Sequence, residues 1–259
     1  MLIDGPKTKV FVVSLSDAQE RRAVFTRRAE DAVVDWRYFD AHRSLSPILN
    51  YDPDLVIRVH GRDLQRGELG CYSSHVTLWQ NLLEDDADQY IILEDDVIVD
   101  WKMMQQISEH DFRAAGHDYV RFYYKAPCAH MVLQRRYLNR NFSLLRLLGH
   151  AYGTQGYVIT RVGAERLMAA CRDIRRPIDD QMDRFWEHGV PNLAIFPFPI
   201  MEEAVPSAIG MARFEAESPY RTMKRRIYLW SDTLTKRVTV FGIRLSAKLR
   251  RYSRMFQKV

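Results

Sequence analysis

The chain has 259 residues, 47% hydrophobic and 27% charged, which is enough apolar mass for a sizeable core and excludes a disordered or low-complexity chain. Its formal charge of +5 conceals a division. Residues 221–259 hold 12 Lys/Arg and one acid, Asp232, a charge of +11, while the other 26 bases and 32 acids leave the body at −6.

Residues 9–15 (KVFVVSL) form a β-branched and aromatic run that predicts a strand. Ser16 and Asp17 are good helix N-caps, and the charged stretch 18–31 predicts a helix. The apolar run at 10–13 is too short for a signal-peptide core or a membrane span, so a cytoplasmic protein is expected. Residues 33–39 predict a second strand, and the polar segment 40–66 a long loop. Leu69, Tyr72, Val76, Trp79, Leu82 and Leu83 recur at spacings of three and four, predicting a helix from Glu68 to about Asp86. Cys71, Cys128 and Cys171 lie far apart with no CxxC spacing, against a zinc ribbon or a disulfide framework and in favour of a reducing compartment.

Residues 90–93 predict a buried strand that must end at Glu94-Asp95-Asp96, because unpaired carboxylates inside a sheet are costly. Strands are predicted at 118–124 and 153–160, helices at 161–171 and 177–188, the latter opened by Pro177, and a last strand at 192–196. The alternation implies an α/β sandwich with a mostly parallel central sheet, binding ligands at the carboxyl ends of its strands. No internal repeat and no GxGxxG or GxxxxGK loop is present. In the tail, Ile227, Trp230, Leu234, Val238, Phe241, Leu245, Leu249, Tyr252 and Phe256 trace one apolar stripe with the bases largely off it. This predicts a basic amphipathic helical tail suited to an anionic membrane surface. Packing of the stripe on the body, and a break or hairpin near Gly242, remain alternatives. The chain divides into a body, 1–217, and a tail, 218–259.

Three segments carry candidate chemistry. Glu94 and Asp96 form an acid-x-acid pair of the kind that bridges Mg²⁺ or Mn²⁺ to a diphosphate, the alternative being a solvated acidic turn. In Gly67-Glu68-Leu69-Gly70-Cys71-Tyr72-Ser73-Ser74-His75, glycines permit close ligand approach and Ser and His can bond phosphate or sugar, or His75 is a core histidine and the serines only cap. Asp179, Asp180 and Asp183 follow Pro177 in the first turns of a helix, with Asp179 and Asp183 on the border of its apolar stripe and Asp180 well off it. A half-shielded carboxylate on that border can serve as a general base, or the acids only complement the helix dipole.

In order, these segments resemble glycosyltransferase family 25, the bacterial lipooligosaccharide-biosynthesis transferases whose relatives include collagen β-galactosyltransferases. The resemblance covers about residues 8–205 through Glu20-Arg21-Arg22, Gly67 to His75, Leu93 to Val97, Gly153-Thr154-Gln155-Gly156-Tyr157, and Pro177-Ile178-Asp179-Asp180 through Gly189. It implies a GT-A type nucleotide-sugar fold and Mn²⁺ or Mg²⁺. It also implies inverting transfer of galactose or glucose from a UDP-sugar to a saccharide acceptor, an oligosaccharide or the glycolipid core of lipopolysaccharide, in β-linkage. On matching positions it places Ser14 and Arg21 at uridine and phosphate, Glu94 and Asp96 on the metal, and Asp95 toward the ribose or donor sugar. Glu68, Ser74 and His75 would border the donor pocket, with Thr154, Gln155 and Gly156 beneath the transferring sugar. Asp179 is the first choice of base and Asp180 the second, and His188 is a candidate third metal ligand. Where the family has Asn-Leu-Asp after the first strand this chain has Ser14-Leu15-Ser16, and the segment 125–150, with Arg135, Arg136, Arg140 and Arg146, is expected to shape the acceptor site. The expected location is the cytoplasmic face of the inner membrane, with no nucleic-acid partner. Competing readings are a nucleotide-sugar-binding protein without turnover, a membrane adaptor, and a metal-dependent phosphohydrolase.

Overall fold

Residues alternate along β1 (Thr8–Ser14), so that Phe11 and Val13 enter one hydrophobic core while Val10 and Val12 enter another. The structure, a computed structural model, describes residues 5–203 and 223–256. After β1 come α1 (Gln19–Arg28), β2 (Trp36–Asp40), β3 (Asn50–Tyr51), α2 (Pro53–His60), α3 (Arg66–Glu84) and β4 (Gln89–Glu94). The middle of the chain forms β5 (Val97–Val99), α4 (Trp101–Glu109), β6 (Tyr119–Arg121), β7 (His130–Arg135), β8 (Ser143–Leu147) and β9 (Gly156–Thr160). Then follow α5 (Arg161–Cys171), β10 (Asp173–Ile174), α6 (Ile178–Asp183), α7 (Phe185–His188), β11 (Leu193–Phe196), β12 (Ile200–Glu202) and, past 204–222, the long helix α8 (Met223–Phe256).

Eight strands form one sheet in the order β2-β1-β4-β9-β6-β11-β8-β7. β1 is parallel to β2 and β4, and β11 to β6, whereas β9 is antiparallel to β4 and β6, and β8 to β11 and β7. The sheet is therefore mixed but mostly of one direction, with six strands running one way and only β9 and β8 the other. β8 reverses because the β7–β8 hairpin turns the chain back on itself, and β9, which enters between β4 and β6, keeps the direction of β8. Tyr72, Val76, Trp79 and Leu82 of α3 and Leu167 of α5 cover one face, and Phe25 of α1 with Met103, Met104 and Ile107 of α4 the other.

Several elements differ from the sequence expectations for local reasons. The 40–66 segment contains α2, where the Asp52 side chain accepts from Asp54 N and Leu55 N, Pro53 opens the helix, and Gly61 closes it at φ 105°. α1 has Ala18 at its N-cap without a side-chain bond, since Asp17 pairs with Arg43 instead. The 177–188 helix breaks at Arg184 into α6 and α7. The 125–150 segment is the β7–β8 hairpin, at the sheet edge opposite β2 and separated from β4 by three strands. α8 runs unbroken through Gly242.

Candidate functional site

Because β1 and β4 are parallel neighbours, with Val13 beside Glu94, Ser14 and the Glu94-Asp95-Asp96 turn emerge at the same edge of the sheet. Ser14 Oγ donates to Asp95 Oδ2 at 2.6 Å, and Arg21 pairs with Asp95 and lies 3.5 Å from Asp96 Oδ2. These residues line a cleft of about 410 Å³ that also takes in Ser74, His75, His42, Arg43, Arg66 and Cys71. The last four were not anticipated. Arg66 opens α3, where a cation beside backbone N–H groups favours an anionic ligand, and that signal was available in the sequence.

Glu94 accepts a hydrogen bond from the Thr154 hydroxyl, and its Oε1 lies 3.8 Å from His75 Nε2. Burial raises the Glu94 carboxyl, but the facing imidazole and the Thr154 hydroxyl outweigh it and leave the group below its usual range. Trp79 Nε1 donates to Tyr157 Oη at 2.9 Å, and the same hydroxyl is hydrogen-bonded to His75 Nδ1 at 2.8 Å, which turns the other ring nitrogen, Nε2, toward Glu94.

Asp96 is the unbalanced group. Its Oδ1 is buried without a partner, and burial followed by the charge of Glu94 pushes the carboxyl up to about 7. An orphaned carboxylate oxygen beside a second carboxylate fits a divalent cation, and two oxygen donors suit Mn²⁺ or Mg²⁺. Cys71 Sγ, His75 and Glu94 offer ligand atoms within 4.8 Å of one another. Burial, then the charges of Glu94 and Asp179, push the Cys71 thiol well up.

Other predicted residues take different places. Glu68 does not line the cleft. Its carboxylate accepts from Arg62 at 2.7 and 2.8 Å and from Gln65 N at 2.8 Å, an ion pair fused to the capping box of α3. His188 is not brought to Glu94 and Asp96, since it ends α7, where its Nδ1 accepts from Val190 N at 3.1 Å and burial lowers the imidazole to about 4. Gln155 Nε2 donates to Glu202 at 3.2 Å, and Gly156 lies within β9, where a Cβ would meet Ile200 at 2.6 Å. Ser74 borders the cleft, but its Oγ donates to Gly70 O and accepts from His42 N, fastening the 42–46 loop to α3. Gly70 makes this approach possible, because a Cβ there would lie 2.3 Å from His42 O.

The acidic pair separates. Asp180 faces His150 at 3.2 Å and the guanidinium groups of Arg184 at 3.2 Å and Arg176 at 3.8 Å, and these partners outweigh its burial to lower it to about 2. It is a poor proton acceptor. Asp179 Oδ2 accepts from Gly153 N at 3.0 Å, and burial raises its carboxyl. A buried pair missed in the sequence supports this region. Asp183 accepts from Arg121 and Asn192 at 2.7 Å on one oxygen and from Ala151 N and Tyr152 N on the other, holding the turn that leads to Thr154.

The fold and cleft define a mixed α/β protein with an acidic site at the carboxyl ends of adjacent parallel strands. The family model of glycosyltransferase family 25 (LPS biosynthesis protein) matches residues 7–182, and the chain belongs to that family. It is 27% identical over 172 residues to procollagen galactosyltransferase 1-A of Xenopus laevis, a match covering 62% of this chain and 28% of that protein. It is 25% identical over 167 residues to the lipooligosaccharide biosynthesis protein lic2B of Haemophilus influenzae, covering 61% of this chain and 62% of that one. The chain thus spans under a third of the procollagen relative's length. A solved structure, A197 from STIV, is 15% identical with a TM-score of 0.35, covering 73% of this chain and 81% of that one.

Proposed function

We propose that the protein is a GT-A type inverting glycosyltransferase that moves galactose or glucose from a UDP-sugar to a saccharide acceptor in β-linkage. Relatives named as a galactosyltransferase and as a lipooligosaccharide biosynthesis protein support a hexose donor and a lipopolysaccharide or lipooligosaccharide core acceptor. The observation that carries the reading is the buried, unpartnered Oδ1 of Asp96 beside Glu94 in a cleft bordered by Arg21, Arg43 and Arg66. That is an acidic centre with a cationic rim, suited to a diphosphate. Residues 1–217 form the catalytic part and 218–259 a tail. The site of action is the cytoplasmic face of the inner membrane, where a lipid-borne acceptor lies.

Glu94 and Asp96 would hold Mn²⁺ or Mg²⁺, which supplies charge neutralisation at the leaving diphosphate. Thr154 and His75 fix the rotamer of Glu94. Ser14 and Arg21 fix Asp95, which borders the donor's ribose or sugar. Asp179 accepts the proton of the acceptor hydroxyl as the new C–O bond forms, while the bond from the anomeric carbon to phosphate breaks and its electron pair leaves with UDP. Asp180 stays ionised and positions Arg176 and Arg184. UDP release from a panel of UDP-sugars, with and without Mn²⁺ and a core oligosaccharide acceptor, tests the reading. No release from any donor overturns it.

A further inference from the structure

The half-buried face of α8, with Tyr228, Asp232 and Lys236 and beyond them Val240, Ile243 and Ala247, is fastened to the body through its polar residues. Asp232 Oδ1 accepts from Arg184 Nη1 at 2.7 Å and Trp186 Nε1 at 2.8 Å, Arg176 donates to Tyr228 Oη, and Lys236 Nζ lies 4.9 Å from the Trp186 ring centre. On the opposite face Ile227, Trp230, Leu234, Val238, Phe241, Leu245 and Leu249 are all exposed, Trp230 and Phe241 by 68%. The side chains of Tyr252 and Phe256 lie outside the described residues. The expected alternative, that the stripe packs on the body, does not hold for these seven. Turning them inward would unpair Asp232 and Arg184. A contiguous apolar stripe of this size marks an interaction surface.

The charges identify what covers it. The only acid of the segment, Asp232, is used up by Arg184 and Trp186. Arg226, Arg237, Arg244 and Lys248 lie along one border of the stripe, roughly 60–100° from its centre line at about 100° per residue. On that border α8 and Leu148 enclose a cavity of about 390 Å³ in which Lys236, Arg237 and Arg244 stand beside Val240 and Phe241. Cations next to apolar carbon complement a lipid phosphate and its acyl chain. A second copy of α8 would instead bring like charges together. No helix among the described residues is long and apolar enough to cross a membrane, so the fitting geometry is a helix lying in the interface.

We propose that α8 docks this protein onto an anionic phospholipid bilayer, with Trp230, Phe241 and their stripe at the acyl boundary and Arg237 and Arg244 at headgroup phosphates. The purpose of docking rests on the transferase reading, since it brings the cleft to a lipid-borne acceptor, whereas the docking itself rests only on α8. The test is sedimentation of the full chain with phosphatidylcholine vesicles, with and without phosphatidylglycerol. The wild type should pellet only with phosphatidylglycerol. Trp230→Ser with Phe241→Ser should lower its partition about a hundredfold at unchanged circular dichroism, and Arg237→Glu with Arg244→Glu at least about thirtyfold. Failure of the wild type to pellet, or equal pelleting by the stripe variant, overturns docking. So does a wild-type dimer that the stripe variant converts to monomer without any lipid binding. UDP release measured without vesicles should be unchanged in the stripe variant, and its absence in the wild type would sink the transferase reading while leaving docking intact.

Discussion

Asp179 and Asp180 are adjacent in the chain but occupy opposite environments, Asp180 held by Arg176, Arg184 and His150 while Asp179 accepts a main-chain N–H from Gly153. Asp179→Asn should therefore abolish transfer while leaving donor binding intact, measured as kcat against donor Kd. Because burial raises the Asp179 carboxyl and the base works ionised, the acid limb of kcat/KM should have its midpoint above the ordinary 3.8. An unchanged kcat in Asp179→Asn would remove this residue from the chemistry.

Asp180 predicts a stability effect instead. Its folded value of about 2 lies below the ordinary 3.8, so its contribution is complete above 3.8 and lost as pH falls through 2. Asp180→Asn should lose about 2 kcal/mol near neutral pH, read by urea denaturation, and the difference from wild type should vanish in acid.

Asp96 predicts a stability gain without metal. Asp96→Asn removes a buried carboxylate facing Glu94 and should raise the melting temperature in EDTA, while abolishing the rise that Mn²⁺ gives the wild type. Equal Mn²⁺ shifts in both proteins would place the cation elsewhere.

The buried Arg121–Asp183 pair predicts a large loss. Asp183→Asn leaves a guanidinium uncompensated at 1% exposure and should cost about 3–5 kcal/mol, measured by denaturant unfolding.

Periodicity and turn chemistry made much of the fold legible. The 161–171 helix coincides with α5, and the acidic end of β4 followed from the cost of burying carboxylates in a sheet. α2 was legible too, since Asp52-Pro53 and Gly61 are ordinary start and stop signals inside a segment judged by its polarity. Glu68 carried its own signal, as Gln65 three residues earlier completes a capping box that engages its carboxylate. What no local pattern carried was pairing across distance. Arg121 and Asp183 are 62 residues apart, and His150 reaches Asp180 from beyond β8, whereas Arg176 and Arg184, four residues to either side of Asp180, were a local signal. Likewise the stripe on α8 was visible, but its outward direction is set by Asp232 meeting Arg184.

The most direct test of the central claim is release of UDP from UDP-galactose and UDP-glucose by wild type and Asp96→Ala, with Mn²⁺ and a core oligosaccharide acceptor. The account predicts Mn²⁺-dependent release from at least one donor by the wild type and its loss, by a factor of about a hundred or more, in Asp96→Ala. Release that persists undiminished in Asp96→Ala, or none from wild type with any donor, would contradict it.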